Sequence, residues 1–289
     1  LADTIVGMDV DDEKKASALL PLEKSGYGRL WVGDRRFPVW LEAGKPLRAT
    51  LELNVLHFEG AGAKTNDYLN RKFYHTPQFR DYGMDDAAFR EKLENMVRER
   101  VAALDTAGLD AAFVALEKKR IAHDRIYELA ANIVYGGTGD KTISGETFME
   151  LQGGLTEDES SWGIPEYPES FQKVARALAR MDETSVRPYT MLLNVLKIAT
   201  EECHDPRLVE YIVARSSLEF IRSQGMEGTE EMARIFRERV KRQDYLEEYK
   251  HYRDENNRLA KGQPAVPFTF QDVDGKEVCL SDLKGKYVY

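Results

Sequence analysis

The hydrophobic period of this chain changes near residue 66, from the period of a strand to that of a helix. That change limits the first 261 residues to sheet first and helices after. Up to Glu59, short runs of residues are punctuated by Gly26-Tyr27-Gly28, Gly33-Asp34 and Ala43-Gly44-Lys45-Pro46. Between these turns lie residues 29–32, 37–42 and 47–58. In the last run Leu47, Ala49, Leu51, Leu53 and Val55 fall on one face, and Arg48, Thr50, Glu52 and Asn54 on the other. A period of two is the mark of a half-buried antiparallel strand. Residues 5–10 are a further candidate strand. Residues 1–65 therefore read as a small antiparallel β-sandwich or curled sheet.

Residues 66–261 read as a helical domain, which makes the chain α+β. Asp85-Asp86 can cap a helix whose Phe89, Leu93, Met96, Val97, Val101 and Leu104 make one stripe. A second helix covers residues 109–135, with the charged Glu117-Lys118-Lys119-Arg120 in its middle. Residues 136–168 are Gly-rich and polar. Loops of that length are uncommon in compact domains, so irregular local structure or a mobile lid is expected there. Four more helices follow, at residues 168–181, 186–203, 207–223 and 230–260. Asp205-Pro206 is a start signal, with Asp as cap and Pro in the first turn. Gly262 suits a left-handed stop. Short connections favour antiparallel neighbours, and there is no fixed-period repeat that would indicate a solenoid.

Residues 262–289 change character again. Asp274-Gly275 is a two-residue hairpin signal joining two extended runs, 268–271 and 276–280. A turn at residues 281–284 follows, and Lys286-Tyr287-Val288-Tyr289 starts a third apolar run. A strand lacking a neighbour can neither bury its faces nor pair its backbone, so the reading here is the opening of a further domain.

That stretch resembles the start of the thioredoxin-like domain of the TlpA/ResA and AhpC/TSA group. The group's Gly-x-Pro-x-Pro-x-Phe opening is matched by Gly262-Gln263-Pro264-Ala265-Val266-Pro267-Phe268, with one proline offset by a position. An Asp-Gly hairpin comes next, and then a Leu-Ser-Asp-Leu-Lys-Gly-Lys turn at residues 280–286. Upstream, Trp40-Leu41-Glu42-Ala43-Gly44-Lys45-Pro46-Leu47, Phe58-Glu59-Gly60-Ala61-Gly62 and Leu259-Ala260-Lys261 resemble the group's long N-terminal region, less specifically. The resemblance implies a Trp-Cys-x-x-Cys beyond Tyr289, protein disulfides as substrates of the parent protein, and the periplasmic side of a Gram-negative cell envelope. It implies no cofactor.

Composition bounds the remaining classes. A 289-residue chain that is 42% hydrophobic can bury a real core, and its net charge of −9 disfavours a general nucleic-acid binder or adhesion to anionic lipid. No apolar run approaches the roughly 20 residues of a membrane helix. Two cysteines, Cys203 and Cys279, are too few for a disulfide framework and do not form a Cys-x-x-Cys.

Each candidate site competes with a plainer account. Gly60-Ala61-Gly62-Ala63-Lys64-Thr65 resembles a phosphate loop, but the motif needs glycine where Phe58 and Ala63 stand; a turn joining sheet to helices is the plainer reading. Gly136-Gly137-Thr138-Gly139-Asp140-Lys141-Thr142 is another near-match, with Asp140 in a required glycine position. Glu201-Glu202-Cys203-His204-Asp205 collects metal-ligand types, but neighbouring helical residues point about 100° apart and cannot converge in a tetrahedron. Cys279 has no adjacent base or resolving thiol, so packing is its expected role. These considerations leave no catalytic, cofactor or metal residue to name. A partner surface is expected at Trp162, in the long loop, and at Tyr245, Tyr249 and Tyr252, which share one helix face. A homodimer through the exposed C-terminal strand is a further expectation. The function that follows is an accessory N-terminal region of a thiol–disulfide oxidoreductase, inactive without the dithiol. The alternative is an envelope module that binds peptide or glycan under a lid at residues 136–168.

Overall fold

The computed structural model describes residues 5–53, 55–136, 143–258 and 262–285. The protein is α+β, as its two hydrophobic periods require, and it divides into two compact units, Leu1–Ala177 and Leu178–Tyr289.

The first unit opens with two antiparallel hairpins. Strands β1 (Gly26–Val32) and β2 (Arg35–Leu41) pair from Gly26↔Leu41 to Val32↔Arg35, and β3 (Leu47–Glu52) pairs with β4 (Val55–Gly60). The β1–β2 hairpin packs on both its faces while its tip stays exposed. On one face Val39, Leu30 and Phe37 pack with Leu47, Leu56 and Phe58 of the second hairpin. On the other, Tyr27 and Trp40 join a helical core of Tyr68, Leu69, Leu104, Phe113 and Ile121. The hairpins thus form a small sandwich, one side of which is roofed by helices.

Residues 47–58 are a hairpin and not one long strand. The Glu52↔Val55 pair leaves two residues for the turn, and Leu53 takes a left-handed φ of 45°. Such a turn matches the twist of the flanking strands. It keeps Leu47, Ala49 and Leu51 on the face of Phe58 and Leu56, but it leaves Leu53 98% exposed at the tip and turns Val55 to the opposite face. Residues 5–10 form no strand, and Ile5 is solvent-exposed.

The glycine-rich segment after β4 is a joint. Gly60 has φ 92°, and a Cβ there would lie 2.9 Å from the Pro46 carbonyl oxygen, so glycine is required. Helix α1 (Ala63–Leu69) follows, and its fully buried Asn66 behaves as a strand partner. The Asn66 amide accepts from Trp40 N at 2.7 Å and donates to Trp40 O and Gly62 O at 2.9 Å each.

Helices α2 (Asp86–Thr106) and α3 (Ala111–Tyr135) pack as a pair, and each starts on an aspartate cap. Asp85 accepts from Ala88 N, and Asp110 accepts from Ala112 N and Phe113 N. Such caps contribute about 1 kcal/mol each. The residues after α3 are more ordered than their composition suggests. Helix α4 (Gly145–Gly153) is capped by Ser144, and a one-turn 3-10 helix covers Glu159–Ser161. Thr147 Oγ1 donates to the Asp86 carboxylate at 2.8 Å, and Arg90 reaches both Glu146 and Glu150, which ties α4 to the start of α2. Distant partners of this kind are invisible to local patterning, so residues 143–168 carry regular structure where the sequence pattern suggests a loop or lid. Helix α5 (Glu166–Met181) completes the first unit and runs into the second.

In the second unit, α7 (Pro206–Gln224) is the central helix. It packs against α6 (Pro188–Glu201), α8 (Glu230–Arg239) and α9 (Gln243–Arg258). Its Leu208, Ile212, Val213, Ser217 and Leu218 are buried. The segment read as one helix over residues 230–260 is broken at Val240. That residue is extended (φ −95°, ψ 126°) and 2% exposed. The two amides that the break frees, Lys241 N and Arg242 N, both donate to Glu210 Oε1 of α7, at 2.5 and 2.6 Å. Burying Val240 and satisfying those amides from another helix together explain the break.

The last hairpin pairs β5 (Thr269–Gln271) with β6 (Glu277–Cys279). Its connection is three residues long, not two. Asp272 N donates to Lys276 O at 2.9 Å, Gly275 N donates to Asp272 O, and Gly275 has φ 78°. This is a tight turn followed by a left-handed bulge residue. The Asp272 carboxylate holds it by accepting from Asp274 N and Lys276 N. A one-turn 3-10 helix, Leu280–Leu283, follows, and Lys286–Tyr289 lie outside the described residues.

Candidate functional site

Among the described residues, several side chains read from sequence as possible chemistry have structural partners. Lys64 is exposed beside the Gly60–Gly62 joint, so the first phosphate-loop candidate is a hinge between sheet and helix. Residues 137–142, in the other such candidate, lie outside the described residues. Cys203 is buried in the short turn between α6 and α7, while Glu201, Glu202 and His204 are exposed. Asp205 serves as the α7 cap, accepting from Arg207 N at 2.9 Å and pairing with the Arg207 guanidinium. No metal-holding group of His, Cys, Asp and Glu occurs among the described residues. Cys279 pairs across the hairpin with Thr269, whose Oγ1 is 3.4 Å from its sulfur.

The expected partner residues fall in different units. Trp162 is half-buried and stands edge-on to the fully buried Tyr167, with ring centroids 5.4 Å apart. Tyr245 is 7% exposed and lies under the Arg242 guanidinium at 4.4 Å. Tyr249 stacks on Phe236 of α8 at 4.4 Å, and Tyr252 is half-buried beside His251. Tyr245 and Tyr249 are thereby packing residues of the helix that follows the Val240 break, because the break turns that face of α9 inward.

Among the described residues, a concentration of ionisable groups lies on α3, at helical spacing. Glu117, Arg120, Asp124 and Glu128 share a face and meet groups from four other segments. Glu117 is fully buried and receives Arg120 through two bonds of 2.7 Å, as well as the Tyr27 hydroxyl of β1 at 2.6 Å. Arg120 also reaches Glu166 Oε1 of α5 at 3.1 Å, while Glu166 Oε2 is buried without a hydrogen-bond partner. Asp124 pairs with Arg100 of α2, which also donates to Thr76 Oγ1; Arg100 Nε is the other buried orphan here. Glu128 Oε2 accepts from the Tyr82 hydroxyl at 2.8 Å. Lys173 of α5 donates to the Tyr135 hydroxyl at 2.7 Å, over the rings of Tyr127 and Tyr135.

Burial raises the pKa of Glu166, against the pull of Arg120. Burial also pushes Glu128 up, from an ordinary 4.5 to about 7, with Asp124 adding to the effect. Burial and the Glu117 carboxylate push the Tyr27 hydroxyl far above its usual range. Sequence reading catches only the Glu117–Arg120 run and treats it as charge. The missed signal is the spacing: Glu117, Arg120, Asp124 and Glu128 follow the helix period on a face shared with Phe113 and Ile121.

A second polar node joins α3 to the 3-10 turn. His123 Nε2 lies 3.1 Å from Ser161 Oγ, which donates to Asp158 Oδ2 at 2.8 Å. Lys119 and the serine hydroxyls hold Asp158 well below the usual carboxylate range. The carboxylate here engages the serine and not the imidazole, and Ser161 is fully buried. A nucleophilic triad needs the acid behind the histidine and an accessible hydroxyl, so this node locks the turn.

No helix among the described residues is long and apolar enough to cross a membrane. No protein-family model, curated protein or solved structure matches the chain.

Proposed function

We propose that this chain is the accessory N-terminal region of an envelope thiol–disulfide oxidoreductase, with a thioredoxin-like redox domain beginning at residue 262. In this reading the chain positions the redox domain or selects partners, and performs no thiol exchange alone. Exchange requires an activated thiolate with a second thiol to resolve the mixed disulfide. Cys203 is buried and Cys279 lies in a hairpin. The observation that carries the reading is the C-terminal hairpin. It carries the Asp-Gly turn of the resemblance, the Leu-Ser-Asp-Leu segment that follows is a single 3-10 turn, and Phe268 and Phe270 at the hairpin and Val266 just before it are exposed. Apolar strand faces of that kind are completed by further strands and helices in a full domain. Protein disulfides are the proposed substrates of the parent protein and the periplasm its compartment. Pairing of two chains through the exposed strand is the proposed mode of self-association.

The test is an insulin-reduction assay on this chain and on the gene product extended past Tyr289. The chain alone should stay at background and the extended product should turn over. Turnover by the chain alone, or a downstream sequence without Cys-x-x-Cys, removes the proposal.

A further inference from the structure

The inward face of α3 gathers more acids than bases. Glu117, Asp124, Glu128 and Glu166 stand against Arg100, Arg120 and Lys173. Arg120 is shared by Glu117 and Glu166, and Arg100 is taken by Asp124. Lys173 directs its ammonium to the Tyr135 hydroxyl and to two tyrosine rings. That leaves Glu128 as the acid held by a neutral donor, the Tyr82 hydroxyl. The charged and titratable groups around it come from every neighbouring element: Arg100 from α2, Asp124, Tyr127 and Tyr135 from α3, Lys173 from α5, and Tyr82 from the segment before α2.

We propose that the folded first unit stores one proton on the Glu128 carboxyl, and that release of this proton loosens the packing of α2, α3 and α5 around it. Glu128 is half-buried, one helical turn from Asp124, and its carboxylate would add a second negative charge where Arg100 is paired with Asp124 and Lys173 is directed to Tyr135. Burial is the larger influence and the Asp124 charge the next, and together they outweigh Tyr82, Arg100 and Lys173, which favour ionisation, and push the carboxyl up to about 7. A carboxyl that holds its proton more tightly in the folded state stabilises that state fully below its unfolded value. The contribution is lost as pH rises through the folded value. This contribution to the first unit is therefore lost from mildly acidic to mildly alkaline pH, while His123, lowered by burial, acts the other way at the acidic end. Glu166, raised by burial, acts in the same direction as Glu128.

The three tryptophans, Trp31, Trp40 and Trp162, all belong to the first unit. Urea unfolding read by tryptophan fluorescence therefore isolates it. Between about pH 5.5 and about pH 8.5, linkage for one such carboxyl gives a roughly 30-fold rise in the unfolding constant. Glu128→Gln should lose that increment. Tyr82→Phe removes a donor that favours the carboxylate, so the pH midpoint should move upward. An E128Q protein with the full wild-type pH response overturns the proposal. If E128Q does not fold, an unchanged or lowered midpoint in Y82F overturns it instead.

Discussion

The two compact units are both built on packed helices, but they fill their interiors with different chemistry. In the first unit, α3 carries an ionic stripe through the core, and fully buried Glu117 is matched by arginine and tyrosine. In the second, the central helix α7 packs with aliphatic and aromatic side chains, and ion pairs such as Arg234 with Glu231 and Glu238 lie outside. Both solutions bury a helix. The first depends on every charge keeping its partner, since an orphaned buried charge costs several kcal/mol. The second depends on volume and shape, since a core cavity costs a comparable amount.

The largest expected effects come from emptying either core. Phe113→Ala removes a ring that meets Trp40 at 4.9 Å and should lower tryptophan-monitored stability by about 3–5 kcal/mol. Phe236→Ala removes the platform under Tyr249 and should act on the second unit, read by thiol labelling of buried Cys203 in a Cys279→Ser background. If Phe236→Ala shifts the tryptophan signal as far as Phe113→Ala does, the two units unfold as one body and the contrast between them dissolves.

A smaller but sharper test addresses the ionic stripe. Arg120→Met strands Glu117 and Glu166 and should destabilise the first unit at neutral pH by about 3 kcal/mol. Adding Glu117→Leu should recover part of that loss, because a buried pair replaced by apolar side chains is often tolerated. A neutral Arg120→Met would make the first unit energetically like the second. The smallest effect is expected at Arg234, whose pairs are exposed on α8. Arg234→Ala should leave Cys203 labelling unchanged, and a clear increase would give surface charge in the second unit a role that solvent screening argues against.

Much of this architecture was readable along the chain. The caps at Asp85, Asp110 and Asp205 sit at or beside the helix starts marked by local composition, and α2 buries the Phe89, Leu93 and Met96 stripe. Two of the errors share a cause: the helix tied down by Asp86 and Arg90 and the break at Val240 depend on partners far away in sequence. The turn at Leu53 is local, closed by the Glu52↔Val55 pair within a run whose alternation reads straight through it. The candidate site was legible only in part. Glu117 and Arg120 stand out as charges, but nothing local tells that they face Tyr27 or Glu166.

Sequence alone determined the order of sheet and helices, most helix starts and the absence of a paired-thiol motif, because hydrophobic period, capping and cysteine spacing act over a few residues. Tertiary structure alone decided which charges lie inside, where the last long helix breaks and which tyrosines face inward. Those outcomes depend on desolvation and on hydrogen bonds between segments that meet only when the chain is folded.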